Sequence, residues 1–101
     1  MAKWSSKEDA VVARIDFPPG AWGGETVFAP RTNPTSEDDG YLINILRKSG
    51  DPAVSELLIW DAKTMDKEPV ARVTMPNGPA GYGFHGAFLS KKQLDAATTQ
   101  A

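Results

Sequence analysis

Glycine and proline cut this chain at "FPPGAWGG", "NP", "DDG", "SGDP", "KEP" and "PNGPAG". Neither residue suits a helix interior, because proline removes a backbone donor and glycine carries extra backbone entropy. The segments left between the breaks are short and apolar or β-branched: "AVVARID" (10–16), "ETVFAP" (25–30), "YLINILRK" (41–48), "ELLIWD" (56–61), "VARVTM" (70–75) and "YGFHGAFL" (82–89). Strand, turn and strand at near-even spacing predict an all-β fold of antiparallel strands, as in a sandwich, a barrel or a propeller blade. "VARVTM" alternates, with Val70, Arg72 and Thr74 on one face and Ala71, Val73 and Met75 on the other. "YLINIL" and "ELLIW" are nearly continuous apolar runs, which suit strands buried on both faces. Only the tail reads as helical: Ser90 and Gln93 form a capping-box signature ahead of "KKQLDAA", predicting a short C-terminal helix.

Composition narrows the function classes. The chain has 101 residues and a net charge of −2, with 11 Lys and Arg scattered along it. That balance argues against a nucleic-acid partner, which calls for a basic face. No cysteine is present, so a disulfide framework, a thiolate metal site and a cysteine nucleophile are all excluded. No apolar run is long enough to span a bilayer, and "MAKWSSKEDAVVAR" lacks the pattern of a secretory signal. The expected setting is therefore the cytoplasm or a plastid.

Two residues stand out chemically. His85 is the single histidine, set in "YGFHGAF" among aromatics and glycines. An imidazole beside aromatics is more often a packed, hydrogen-bonded residue than a ligand, and one ligand does not make a metal site. Glu25 opens an apolar strand straight after Gly23 and Gly24. It reads as a charge at a strand end or as an acceptor for an imidazole N–H, a contact that fixes the tautomer of a metal-bound ring. "EDDG" (37–40) lacks the ligand spacing of a calcium loop and reads as a solvated turn, with Asp39-Gly40 launching the next strand. No nucleophile elbow, phosphate loop or dinucleotide fingerprint is present. The residues by themselves reach a β-rich domain with one suggestive histidine.

Three ordered segments resemble the C-terminal end of the carotenoid cleavage oxygenase family. "PPGAWGGETVFAPR" resembles the family's "GGE-x-x-FVPR", and "SEDDGYLINIL" resembles its "EDDGYLL". "SELLIWDAKTMDKEPVARVTMPNGPAGYGFHGAFLSKKQL" resembles its terminal run, "SELLILDA…PVA-x-V-x-LP-x-RVPYGFHG". The likeness runs from about Val12 to Leu94. Two places depart from it: Asn77 to Gly81 stand where the family has "RVP", and Arg47-Lys48 stand where it usually carries an acidic residue.

The resemblance implies a seven-bladed β-propeller, of which residues 1–101 would be a C-terminal fragment supplying the last blade and closing strands. It implies a ferrous ion, Fe(2+), held by four histidines from different blades and steadied by three glutamates. On that reading His85 matches the last iron-binding histidine and Glu25 the last glutamate that orients a ligand. The implied reaction adds O2 across a conjugated double bond of a carotenoid or apocarotenoid, giving two carbonyl products. The remaining blades would be needed, so the isolated chain is expected to be inactive, and the full-length enzyme is allowed a peripheral membrane contact. The alternative is a non-catalytic β-rich interaction module derived from the same family.

Overall fold

A computed structural model of the chain describes residues 1–50, 53–76 and 86–100, the last three of them by backbone alone. Seven strands and one helix follow in order: β1 (Ala2–Ser5), β2 (Ala10–Arg14), β3 (Ala21–Gly23), β4 (Val27–Pro30), β5 (Gly40–Lys48), β6 (Val54–Asp61), β7 (Ala71–Thr74) and α1 (Lys91–Gln100). β1 and β2 pair as an antiparallel hairpin with an irregularity between Lys3 and Trp4. The main sheet is antiparallel, in the order β3-β5-β6-β7, with β4 also on β5. β3 and β4 thus lie end to end along one edge of β5. β4 pairs with Gly40 to Ile43, and β3 with Leu46 to Lys48. Antiparallel strands with a short C-terminal helix match the all-β expectation at that level of detail.

The period of two along each strand divides the sheet into unlike faces. Leu42, Leu46, Leu58 and Trp60 share one face, since Leu42 stands opposite Trp60 and Asn44 opposite Leu58. There the core cluster forms: Ile15, Leu46, Leu58, Trp60 and Met65 are buried, and Met1, Ala13, Phe17 and Leu42 pack against them. Phe17 stacks on Trp60 with ring centroids 6.0 Å apart. Burial of each large apolar side chain here contributes about 1.5–3 kcal/mol relative to exposure. The N-terminal hairpin and the segment after it therefore act as the lid of this face. Main-chain bonds tie the lid down: Met1 N donates to the Ile15 carbonyl at 2.9 Å and Ile15 N to the Met1 carbonyl at 2.8 Å. The Lys3 ammonium adds a 2.5 Å contact to Asp38 and a 3.0 Å bond to the Ala62 carbonyl.

The opposite face carries Ile43, Ile45, Leu57, Ile59 and Val73, and none of these is fully buried. Ile45 is 41% exposed and Val73 51%. Burial on both faces, expected from the continuous apolar runs, is thus met on one face among the described residues. The lid supplies apolar side chains to a single side of the sheet, which accounts for the difference. Two short strands were not anticipated: β1, and β3 inside the "FPPGAWGG" cluster. The capping box does form, with Ser90 N donating to Gln93 Oε1 and Gln93 N to Ser90 Oγ.

Candidate functional site

Glu25 sits where the edge of the sheet changes from β4 to β3. Val27 pairs with Ile43, and Gly23 pairs with Leu46. Three residues, Gly24, Glu25 and Thr26, therefore span the stretch that only Asn44 and Ile45 span on β5. One strand carries an extra residue, so the ladder is interrupted and Glu25 stands at the middle of a bulge, a device that re-aims side chains.

The polar groups freed by the bulge are met by Asn44, which is 2% exposed. Its Oδ1 accepts from Gly24 N at 3.0 Å; its Nδ2 donates to the Gly24 carbonyl at 3.0 Å and to Thr26 Oγ1 at 2.9 Å. The side-chain amide thus replaces a backbone partner for Gly24. Thr26 passes the contact on by donating to Met1 Sδ at 3.4 Å. Gly23 beside it is glycine for a steric reason: a Cβ there would meet Phe17 Cε2 at 2.5 Å and Asn44 Nδ2 at 3.2 Å.

From this bulge the Glu25 carboxylate reaches across 61 residues of sequence. Its Oε2 accepts the backbone N–H of Gly86 at 2.8 Å. Gly86 also lies near Val27, whose Cγ2 would be 3.6 Å from a Cβ at that position. His85, the residue covalently before Gly86, lies outside the described residues. Glu25 and the chain at residue 86 are brought together, while the position of the imidazole is untested. Among the described residues, no group of three or more His, Cys, Asp or Glu side chains converges to hold a metal ion. The described residues thus supply no ligand set; beside His85 they bring one carboxylate, bonded to the amide of Gly86.

Two charged clusters lie elsewhere, both missed by local reading of the sequence. In "EDDG" Glu37 is exposed, while Asp38 and Asp39 are engaged by other side chains. Asp39 is 9% exposed; its Oδ1 accepts from Arg31 Nε at 3.0 Å, and its Oδ2 accepts from the amide and hydroxyl of Thr35. The Thr35 amide and the Arg31 guanidinium hold Asp39 below the usual carboxylate range. Lys3, helped by the Ser36 hydroxyl, brings Asp38 down to about 2. The second cluster centres on Glu56, 7% exposed and paired with Lys48 and Arg72. Lys48 holds that carboxylate low against the opposing cost of burial, with Arg72 adding to the effect. Lys48, at one of the two departures from the family pattern, thus has a structural partner on the adjacent strand.

A cavity of about 520 Å³ is lined by Met1, Thr26, Phe28, Leu42 and Met65, with Lys3 among its polar groups. Its wall is mainly apolar, and Thr26 links it to the bulge.

Comparison with known proteins settles the family. The sequence model of the family described as retinal pigment epithelial membrane protein, RPE65, matches residues 3–90. The chain belongs to this family, that of the carotenoid oxygenases. It is 46% identical over 82 residues to the carotenoid 9,10(9',10')-cleavage dioxygenase of Crocus sativus, covering 79% of this chain and 15% of that protein. The chromoplastic zeaxanthin 7,8(7',8')-cleavage dioxygenase of Crocus sativus is 36% identical over 93 residues, covering 89% of this chain and 25% of its own. The chloroplastic 9-cis-epoxycarotenoid dioxygenase of Oryza sativa subsp. japonica is 38% identical over 92 residues, covering 87% and 14%. The chain therefore spans between 14% and 25% of the length of these relatives. No helix among its described residues is long and apolar enough to cross a membrane.

Proposed function

We propose that this chain is the C-terminal part of a non-haem Fe(II) carotenoid cleavage dioxygenase, corresponding to the last blade and closing strands of a seven-bladed propeller. The observation that carries the reading is the bond from Gly86 N to Glu25 Oε2. It joins the "GGE" and "YGFHG" segments, the two places where the resemblance puts a metal-orienting carboxylate and a metal-ligating imidazole. Membership of the family and the names of the matched relatives support a carotenoid or apocarotenoid substrate cleaved with O2.

In this reading His85 contributes one imidazole to the iron, and Glu25 fixes the peptide that carries it. When bound, the ferrous ion supplies the redox centre for adding O2 across the conjugated bond. The bulge gives Glu25 a fixed origin, and its carboxylate accepts the Gly86 amide, which anchors the main chain next to His85. One imidazole cannot by itself strip the hydration shell of iron, so the isolated chain binds the metal weakly and cleaves nothing. The rest of a family-length chain supplies the other ligands. A plastid setting agrees with the chromoplastic and chloroplastic relatives.

A second reading, a non-catalytic interaction module, draws on the half-exposed apolar face of Ile43, Ile45, Leu57, Ile59 and Val73. One experiment separates the two. This chain replaces the matching portion of the Crocus sativus 9,10(9',10')-cleavage dioxygenase, and carotenoid cleavage is followed by product analysis. Cleavage by the chimera, abolished by His85→Ala, is the expected result. A folded chimera that cleaves nothing would overturn the enzymatic reading and favour the module.

A further inference from the structure

The role of Glu25 depends on where the bulge places it, and the bulge is held by a residue that carries no chemistry of its own. We infer that Asn44 is a positioning residue: its buried amide sets the height of Glu25 and, through Glu25, the main chain beside His85. For its link to the metal this inference rests on the functional reading above, but the geometry it describes does not.

At Gly24 the ladder loses both a donor and an acceptor partner, and Asn44 meets both, at 3.0 Å each. A carboxylate at this position would accept from Gly24 N yet face the Gly24 carbonyl without a proton to give, and could hold Thr26 only by drawing its hydroxyl proton away from Met1 Sδ. Serine is too short to meet both groups, and glutamine adds a methylene where residue 44 is 2% exposed. An amide on a single methylene is the one side chain that satisfies donor and acceptor together. Its other Nδ2 bond, to Thr26 Oγ1 at 2.9 Å, fixes the far side of the bulge. Glu25 is therefore clamped between two residues that Asn44 holds. The free end of the Glu25 side chain then meets Gly86 N at 2.8 Å.

The test uses the 101-residue chain, labelled with 15N and 13C, with no metal added. In the unaltered chain, a through-hydrogen-bond scalar coupling is expected between the Gly86 amide nitrogen and the Glu25 carboxyl carbon. Glu25→Gln abolishes that carboxylate signature while Gly24 keeps its amide protection. Asn44→Asp, which keeps an acceptor for Gly24 N but loses the donor to the Gly24 carbonyl, is expected to abolish the coupling and to speed water exchange at Gly86 by about tenfold, equal to roughly 1.4 kcal/mol. The amides of Leu58 and Ile59 in β6 are expected to keep theirs. Persistence of the coupling in Asn44→Asp would overturn the inference. Should that variant lose its dispersed spectrum, Thr26→Val removes a single bond of the clamp; a several-fold rise in Gly86 exchange supports the inference, and an unchanged rate overturns it. Failure here leaves the chimera result standing, and an inactive chimera leaves this result standing, so the two ideas fail separately.

Discussion

The two faces of the sheet are built from the same strands and nearly the same residue types, yet they meet different fates. On one, Leu46, Leu58 and Trp60 are buried beneath Ile15, Phe17 and Met65. On the other, Ile43, Ile45, Leu57, Ile59 and Val73 stay half-buried or exposed. Apolar character in a strand therefore records a demand for cover, and this chain meets the demand on one side. The covered side also explains how the bulge at Glu25 is held: Asn44 lies in line with Leu42 and Leu46, so the clamp on the bulge is anchored in the packed core.

The contrast can be broken most severely at Trp60, which is 2% exposed. Trp60→Ala should destabilise the chain by about 3–5 kcal/mol in denaturant titration, because it removes the ring under Phe17 and leaves a cavity. A loss below about 1 kcal/mol would mean that the covered face is no more a core than the open one.

A smaller effect comes from the tie that holds the lid. Asp38 has its folded value lowered from 3.8 to about 2, chiefly by Lys3. A depressed carboxylate adds stability that is present above its unfolded value and is lost as pH falls through the folded one. Acid unfolding should therefore draw on Asp38 between about pH 4 and about pH 2. Lys3→Met should move the Asp38 carboxyl titration, followed by 13C NMR, back up toward 3.8 and flatten that part of the acid limb. An unmoved titration would remove the Lys3 contact from the account.

The least change is expected on the open face. Ile45→Thr should alter stability by no more than about 0.5 kcal/mol while reducing self-association in sedimentation. A loss comparable to that of Trp60→Ala would show that this face is packed in solution, and the contrast between faces would collapse.

How much of this was legible in the sequence follows from the range of each interaction. The Ser90 and Gln93 cap spans one helical turn and was read correctly, because all its partners lie in one short window. The strands β4 to β7 were legible from apolar and β-branched runs between breaks. β3 was not, since Ala21–Gly23 owes its pairing to Leu46, Arg47 and Lys48, more than twenty residues away. The turn at "EDDG" and the strand it launches at Gly40 were read correctly, but Asp38 and Asp39 were misjudged as solvated because their cationic partners, Lys3 and Arg31, lie outside that segment. Asn44 was passed over inside "YLINIL", although a single amide at an inward position of an apolar strand is a signal: a buried amide needs partners. Glu25 was singled out from its place after two glycines, and the structure brings it to Gly86. His85, the residue that most needed placing, lies outside the described residues.

The central claim is that this chain holds one part of an iron site that other segments of a family-length protein complete. Iron content measured side by side on the isolated chain, the Crocus sativus chimera and the chimera carrying His85→Ala tests it most directly. The account predicts stoichiometric iron in the chimera, loss of that iron with His85→Ala, and only weak binding by the isolated chain. A tight stoichiometric site on the isolated chain, or full iron retention by the His85→Ala chimera, would contradict it.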